Sequence, residues 1–198
     1  MEIEFAYGSE TLRAEVPWGR CVGVIDVAET PELPNRDAAI RNALEHPIGL
    51  DRSILQLVRP GERAAILTSD SFRVTAIDQV LPILLDGLNG AGVPDEAVTI
   101  VFASGTHRPP TVDEQERIVG SKVFGRLRPR CFTHEPNNDA NLTYVGTTSR
   151  GTRVEVNKRV RDCDRIIVTG AVVLHYFGGF GGGRKGVVPG IASARTIA

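Results

Sequence analysis

The 198-residue sequence predicts an α/β fold of Rossmann-like type, with a mostly parallel (mixed) sheet that carries helices on both faces. Short apolar runs typical of buried strands occur at residues 64–68, 98–103 and 165–169, and shorter runs near 142–145 and 154–156 add two further strands. Segments with helical spacing or helix-start signals lie between the runs, which is the rhythm of β-α-β units. The composition, 41% hydrophobic and 24% charged residues, suits one globular domain with a sizeable core.

The N-terminal segment predicts a small β-hairpin that precedes the α/β region. Two β-type runs within residues 2–16 flank a turn at residues 8–10. A proline-rich loop follows at residues 31–34. Residues 36–45 then predict a short helix, which Pro47 ends because proline lacks the N–H that a continuing helix needs.

The clearest helix is predicted at residues 74–88, where apolar residues recur on one helix face: Ile77, Val80, Leu81, Leu84, Leu85 and Leu88. Pro82 lies inside this pattern and can kink the helix, and residues 89–90 (Asn-Gly) end it. Thr111 and Glu114 have the spacing of a capping box, which predicts the start of a later helix.

Charge and composition exclude several classes of function. The formal net charge is -1 and the basic residues are scattered, so no nucleic-acid-binding surface is predicted. The acidic N-terminus lacks the features of a signal peptide, and no apolar run approaches the ~20 residues of a membrane span. The three cysteines, Cys21, Cys131 and Cys163, lie far apart without C-x-x-C spacing, so no disulfide framework or zinc site is expected. We therefore expect a cytoplasmic protein.

Polar residues follow the three strongest strands. Asp70 and Arg73 come after the first, His107 after the second and His175 after the third. Because the carboxyl ends of parallel strands meet at one edge, where open α/β sheets bind ligands, these side chains are expected to share a site.

Each of these residues also has a structural interpretation. Asp70 can cap the next helix, and Arg73, expected in its first turn, can be a surface charge or can meet a bound anion. His107 can be a satisfied structural histidine.

His46 and His134 lack this strand-end context, and we expect both at the surface.

The last segment is rich in glycine, with six glycines from Gly178 to Gly186. Small residues let backbone N–H groups approach an anion closely. The embedded aromatic residues Tyr176, Phe177 and Phe180 argue against a flexible linker. The spacing nearly matches a phosphate-binding P-loop, but Arg184 occupies the lysine position and Gly186 the position of the magnesium-binding Ser or Thr. Nucleoside triphosphate hydrolysis is therefore excluded.

Lys185 lies between Arg184 and Gly186. A lysine beside another cation has a lowered proton affinity, and as a neutral amine it can bond covalently to a carbonyl-type group. The alternative is a counter-ion for a phosphate. The residues alone leave both interpretations open.

Taken together, these motifs resemble the nickel-dependent lactate racemase family, from about Ala43 to the end of the chain. The residues that carry the resemblance are Asp70-x-x-Arg73, Gly105-Thr106-His107-Arg108-Pro109, Gly151-Thr152 with Asn157, the run His175-Tyr-Phe-Gly-Gly-Phe-x-Gly-Gly-Arg-Lys-Gly, and Pro189-Gly190. The spacing from His175 to Lys185 is its most specific part.

The resemblance implies a racemase or epimerase of a 2-hydroxy acid, with lactate as the first expectation. The family uses a nickel-pincer nucleotide, a pyridinium mononucleotide whose two thio-acid arms hold nickel. The resemblance makes Lys185 the covalent attachment point, assigns cofactor contacts to the segment Asp70, Ser71, Phe72 and Arg73, and gives Arg73 a further contact with substrate. It makes His107 and His175 the two acid–base residues, and cofactor-biosynthesis proteins the expected partners.

The resemblance further implies that residues 1–198 form the N-terminal domain of a two-domain enzyme. The C-terminal domain is then absent, and the nickel-ligating histidine is expected just beyond Ala198, with no metal ligand within the chain. Such a fragment is expected to be inactive alone. Two alternatives stay open: a relative that acts on malate or a sugar acid, and a non-catalytic module that binds a nucleotide or phosphate in the glycine loop.

Overall fold

The computed structural model describes residues 1–17, 19, 22, 23, 25, 28, 30–176 and 178–198. Cys21 and Phe177, which the sequence analysis named, lie outside the described residues. The chain divides into two compact units, Met1–Pro34 and Asn35–Ala198.

The first unit contains the predicted hairpin. Strands β1 (Glu2–Tyr7) and β2 (Glu10–Glu15) pair antiparallel, with Phe5 opposite Leu12. Gly8 has φ +61° in the connecting turn, a conformation that favours glycine.

The second unit contains the α/β fold. Its strands and helices are, in chain order, α1 (Arg36–Glu45), β3 (Ala64–Thr68), α2 (Ile77–Gly90), β4 (Val98–Phe102), α3 (Val112–Val119), α4 (Ser121–Leu127), β5 (Cys131–Thr133), β6 (Leu142–Thr147), β7 (Arg153–Asn157), α5 (Lys158–Arg161), β8 (Arg165–Val168), β9 (Leu174–His175), β10 (Gly179–Phe180) and α6 (Ala194–Ile197).

The main sheet has four strands in the order β5-β4-β3-β8, and every neighbouring pair is parallel. This confirms the predicted parallel α/β sheet. The predicted strands near 142–145 and 154–156 form instead a separate antiparallel hairpin, β6 with β7. Its register shifts between Tyr144 and Gly146.

The two faces of the sheet have different covers. Ile66 of β3 and Ile100 of β4 pack under α2, α3 and α4 in the larger core. Leu67 and Val101 point to the other face, where Val156 of β7, Val160 of α5 and Ile191 cover them. Side chains alternate between faces along a strand, so both covers are needed to bury these continuous apolar runs.

Helix α2 begins at Ile77, three residues after the predicted start at 74. Ala76 adopts a left-handed conformation with φ +48°, which a helix cannot continue through. Val74 is 98% exposed, so it adds nothing to the buried face. The predicted capping box of α3 is confirmed, with both Thr111 and Glu114 making its reciprocal hydrogen bonds. Within the described residues, no helix is both long enough and apolar enough to cross a membrane.

Candidate active site

A cleft of about 1340 Å³ opens at the carboxyl ends of β3, β4 and β8. The turns after these strands and the glycine loop, defined here as residues 178–190, form its walls. Five predicted site residues line it together: Asp70, Arg73, His107, His175 and Lys185. Phe72 lines it as well, whereas Ser71 is not among the described residues that face the cleft. The cofactor contact predicted for Ser71 stays a prediction.

His107 and Asp70 form a carboxylate–imidazole pair. His107 Nδ1 lies 2.6 Å from Asp70 Oδ2, and the other carboxylate oxygen, Oδ1, accepts the backbone N–H of Phe72 at 3.1 Å. Asp70 is only 4% exposed, while half of the His107 side chain reaches solvent. A carboxylate can only accept here, so Nδ1 of the neutral ring carries the proton and Nε2 presents a lone pair.

Phe72 is held between two neighbours. Its ring meets the His107 ring edge to face at 5.0 Å, and the Arg108 guanidinium lies 5.4 Å from its centroid. Arg108 is fixed by a bidentate pair to Glu114 at 2.6 and 2.7 Å. That guanidinium, followed by the Thr111 backbone N–H, lowers the pKa of Glu114 to about 2. The start of α3 thereby anchors one wall of the cleft.

His175 also lines the cleft, in the short hairpin of β9 and β10. Its Nδ1 accepts the backbone N–H of Gly178 at 3.2 Å, and its ring stacks on Tyr176 with centroids 5.1 Å apart. Partial burial first, and then the charges of Lys185 and Arg73, lower the pKa of His175 below its usual value. The ring is therefore mainly neutral at neutral pH.

The Lys185 amine also has a lowered pKa. Desolvation is the larger cause and the positive charge of Arg73 is the second. The sequence predicts Arg184 as the cation responsible, but in the folded chain Arg73, which follows β3, has this effect. Both causes disfavour the ammonium form and make the amine a better nucleophile.

The glycine loop is packed against the strand ends at three points where a Cβ atom has no room. A Cβ at Gly182 would lie 2.7 Å from Ala171 O, one at Gly186 would lie 2.5 Å from Val168 Cγ1, and one at Gly190 would lie 3.0 Å from Ala103 Cβ and would also overlap Gly186 O within the loop. Gly190 O also accepts the backbone N–H of Gly105 at 2.9 Å, which ties the loop to the turn that carries His107. These contacts exclude a loose linker.

Two structural interpretations of the predicted residues are wrong. Asp70 does not cap the following helix, because α2 starts at Ile77 and its N-cap residue, Ala76, makes no side-chain hydrogen bond. Arg73 is not in a first helical turn, since it precedes that helix by four residues, so the helix-dipole argument does not apply to it. Arg73 instead lies at the cleft, where its charge acts on His175 and Lys185.

His134 is buried, contrary to the prediction from the sequence. It was expected at the surface, as was the exposed His46, yet it is 1% exposed. Its ring nitrogens meet buried groups, with Nε2 2.9 Å from Ala192 O and Nδ1 3.3 Å from Asn157 Nδ2. Its position directly after β5 was the available signal, but a three-residue strand leaves little apolar pattern to detect.

No cluster of three or more His, Cys, Asp or Glu side chains suited to a metal ion occurs in the described part of the chain. Cys131 and Cys163 are free thiols, and burial raises the pKa of Cys131 to about 11.

Comparison with known families gives a match over nearly the whole chain. The family model described as "Lactate racemase N-terminal domain" matches residues 7–198. The lactate racemase of Thermoanaerobacterium thermosaccharolyticum is 31% identical over 197 residues, which cover 98% of this chain and 45% of that protein. The lactate racemase of Lactiplantibacillus plantarum is 30% identical over 198 residues, covering 98% and 46%. The chain thus spans less than half the length of these relatives.

Solved structures give a consistent result. The lactate racemase apoprotein from T. thermosaccharolyticum superimposes with a TM-score of 0.80 at 31% identity, over 100% of this chain and 45% of that one. A protein from Thermotoga maritima superimposes with a TM-score of 0.65 at 26% identity, over 83% of this chain and 40% of its own length.

Proposed function

This chain belongs to the lactate racemase N-terminal domain family, and from that membership we propose that its cleft racemises a 2-hydroxy acid, with lactate as the substrate. The observation that carries the proposal is the convergence of two imidazoles, an arginine and a lysine of lowered pKa on one cleft. Inversion of a 2-hydroxy acid through a planar intermediate needs a proton-exchanging group on each side, and His107 and His175 come from different strand ends.

In this proposal His107 is the group that removes a hydroxyl proton. Asp70 holds its Nδ1–H, so Nε2 is left with the lone pair that accepts a proton. The same carboxylate stabilises the imidazolium that forms, as in other carboxylate–histidine pairs. Since half of the ring is exposed, a substrate in the cleft can reach it.

In this proposal His175 is the proton donor. Its Nδ1 accepts from Gly178, so the neutral ring carries its proton on Nε2. One imidazole therefore presents an acceptor and the other a donor. A substrate of the opposite hand needs the reverse assignment, in which His175 carries its proton on Nδ1 and gives up the long 3.2 Å contact with Gly178.

Arg73 supplies the carboxylate contact. Its side chain is exposed and lines the cleft, and a guanidinium can bind a carboxylate with two parallel hydrogen bonds. A bound carboxylate also offsets the charge that Arg73 places near His175 and Lys185. The guanidinium therefore orients the substrate and, after burial and Lys185, contributes to lowering the pKa of His175.

The residues present fit a nickel-pincer nucleotide. Lys185 offers a nucleophilic amine inside the cleft, and Gly182, Gly186 and Gly190 leave the adjoining backbone free of side chains. Thr68 adds a buried hydroxyl that lines the cleft and has no hydrogen-bond partner among the described residues. We propose that Lys185 holds this group covalently, with Asp70, Phe72 and Arg73 beside it. When bound, it supplies the hydride-accepting chemistry that no protein side chain provides.

We further propose that the partners are the proteins that make and load this cofactor, and that the protein works in the cytoplasm. The free thiols Cys131 and Cys163 are consistent with a reducing compartment.

The test is to co-express the full-length protein with cofactor-biosynthesis proteins and to measure its intact mass and its conversion of D- to L-lactate. We expect an adduct on Lys185 and racemisation without deuterium at C2 in heavy water. Lys185→Ala removes the adduct, whereas the control Lys122→Ala, at an exposed lysine, keeps it. Reversible nucleotide binding without an adduct or turnover would instead support a non-catalytic module.

The histidines are tested in the same preparation. His107→Ala and His175→Ala are expected to load Lys185 normally and to lose about 10²–10⁴-fold in turnover, the usual contribution of a general acid or base. Unchanged turnover in both variants would rule out the two-histidine mechanism.

A further inference from the structure

His134 occupies a fully enclosed position between the two segments that form the cleft walls. Its backbone N–H donates to Phe102 O at the end of β4, at 3.1 Å. Its backbone carbonyl accepts the Ser104 hydroxyl at 3.3 Å, and Ser104 O in turn accepts the backbone N–H of His107 at 2.9 Å. The main chain of His134 is therefore linked to the turn that carries His107.

The imidazole of His134 reaches in the other direction, to the segment that follows the glycine loop. Nε2 donates to Ala192 O at 2.9 Å. Two residues earlier, Gly190 donates its N–H to Lys185 O at 3.1 Å. One buried residue thus joins the turn of His107, through its main chain, to the segment that supports Lys185, through its ring.

The orientation of the ring is determined by Asn157. The side-chain Oδ1 of Asn157 accepts the backbone N–H of Arg159 at 3.0 Å and caps α5, so its amide group is turned with the NH₂ toward His134 Nδ1. Nδ1 must then be the acceptor and Nε2 the donor. Burial lowers the pKa of His134, which favours this neutral form. The ring has no polar group left for a ligand, so its role is structural support of the site.

We propose that His134 is a positioning residue, whose buried imidazole holds the glycine loop at the distance from the His107 turn that keeps Lys185 inside the cleft. The effect of this role on catalysis rests on the proposed function. The position of the loop can be tested without the cofactor. If the link is removed, the Gly105 N–H to Gly190 O bond remains, but the segment at Ala192 loses its side-chain anchor and the loop can shift relative to β4. Lys185 then loses the burial and the proximity of Arg73 that depress its proton affinity.

The chain offers a direct readout because it contains three lysines, Lys122, Lys158 and Lys185. Trace acylation with acetic anhydride across a pH series, followed by peptide mass spectrometry, gives a labelling curve for each one without any cofactor. His134→Leu keeps the volume of the side chain and removes both ring hydrogen bonds. We expect the Lys185 curve to move to higher pH, with about tenfold slower labelling at pH 7 for each unit of movement. Lys122 and Lys158 are expected to stay unchanged.

His134→Gln is the rescue variant, because its amide can still donate to Ala192 O, and the exposed His46→Leu is the matched control. Both are expected to keep the native Lys185 curve. An unshifted Lys185 in folded His134→Leu, or an equal shift in His134→Gln, would overturn the proposal. The native protein gives a second test by ¹⁵N NMR: a His134 ring protonated on Nδ1 would also overturn it. If the labelling curves are as expected but the protein forms no adduct and shows no turnover, only the proposed function is rejected. The positioning role of His134 then stands.

Discussion

At the scale of single residues, Arg73 links the acid–base behaviour of His175 and Lys185. Its charge disfavours the protonated forms of both His175 and Lys185, in addition to the larger effect of burial on each. A neighbouring cation destabilises both an imidazolium and an ammonium group. The arrangement therefore keeps His175 mainly neutral and makes the Lys185 amine available at a lower pH than usual.

This arrangement predicts the response to removal of the charge. Arg73→Gln is expected to raise the pKa of His175 toward its usual value of 6.5, but not fully, because the burial of the ring remains. Protonation of His175 then sets in at a higher pH as the solution is acidified. An NMR titration of the His175 ring measures the change, and Arg73→Lys, which keeps the charge, is the control. A pKa that is unchanged or lower in Arg73→Gln would contradict the assigned cause.

Sequence reasoning predicted a shared site for Asp70, His107 and His175 but not the contacts that these residues make. Asp70, His107 and His175 follow strong strands, and that position alone predicts their convergence. The contact of Asp70 with His107 joins residues 37 positions apart and depends on the turn geometry after each strand. The buried position of His134 was missed because the covers of the second sheet face are short and irregular.

At the scale of elements, the glycine loop is a close-packed part of the fold. Gly186 faces Val168 of β8 at a distance that excludes any side chain, although its backbone φ lies outside the left-handed region. Glycine is therefore required at this position because a side chain would overlap Val168 of β8. This separates Gly186 from Gly182, where φ is +73° and backbone strain is added to the contact.

A double-mutant cycle tests this contact. Gly186→Ala is expected to lower the free energy of unfolding by about 1–3 kcal/mol, the usual effect of overpacking. In the presence of Val168→Ala, which removes the opposing Cγ1, the same change is expected to cost less. Urea denaturation measures both. Gly125→Ala, in α4 with no atom within 4 Å of the added Cβ, is the control and is expected to be neutral or stabilising. Strict additivity of Gly186→Ala and Val168→Ala would contradict the proposed contact.

At the scale of the whole α/β unit, the sheet is buried on both faces by different means. Ile66 faces the helices α2, α3 and α4, whereas Leu67 faces α5, β7 and the segment around Ile191. Both side chains are completely buried. The second cover includes the segment that supports Lys185, so the stability of the sheet and the placement of the loop depend on the same packing.

Because both faces of the sheet are packed, core substitutions on either face are expected to destabilise the fold to a similar extent. Ile66→Ala and Leu67→Ala are each expected to lower the free energy of unfolding by about 2–5 kcal/mol, since each leaves a cavity in a packed core. Denaturation in urea, monitored by circular dichroism, gives both values. A cost for Leu67→Ala within the ~0.5 kcal/mol typical of surface substitutions would mean that the second face is open.

The sequence by itself determined the parallel strands, the capping box of α3 and the family, because apolar periodicity, local capping and motif spacing depend on residues that are close in the chain. It also located the turns that carry Asp70, His107 and His175. Only the tertiary structure decided which groups pair, which cation lowers the pKa of Lys185, and that His134 is buried. These outcomes depend on contacts between segments tens of residues apart, whose distances are set by the packing of the sheet and its two covers.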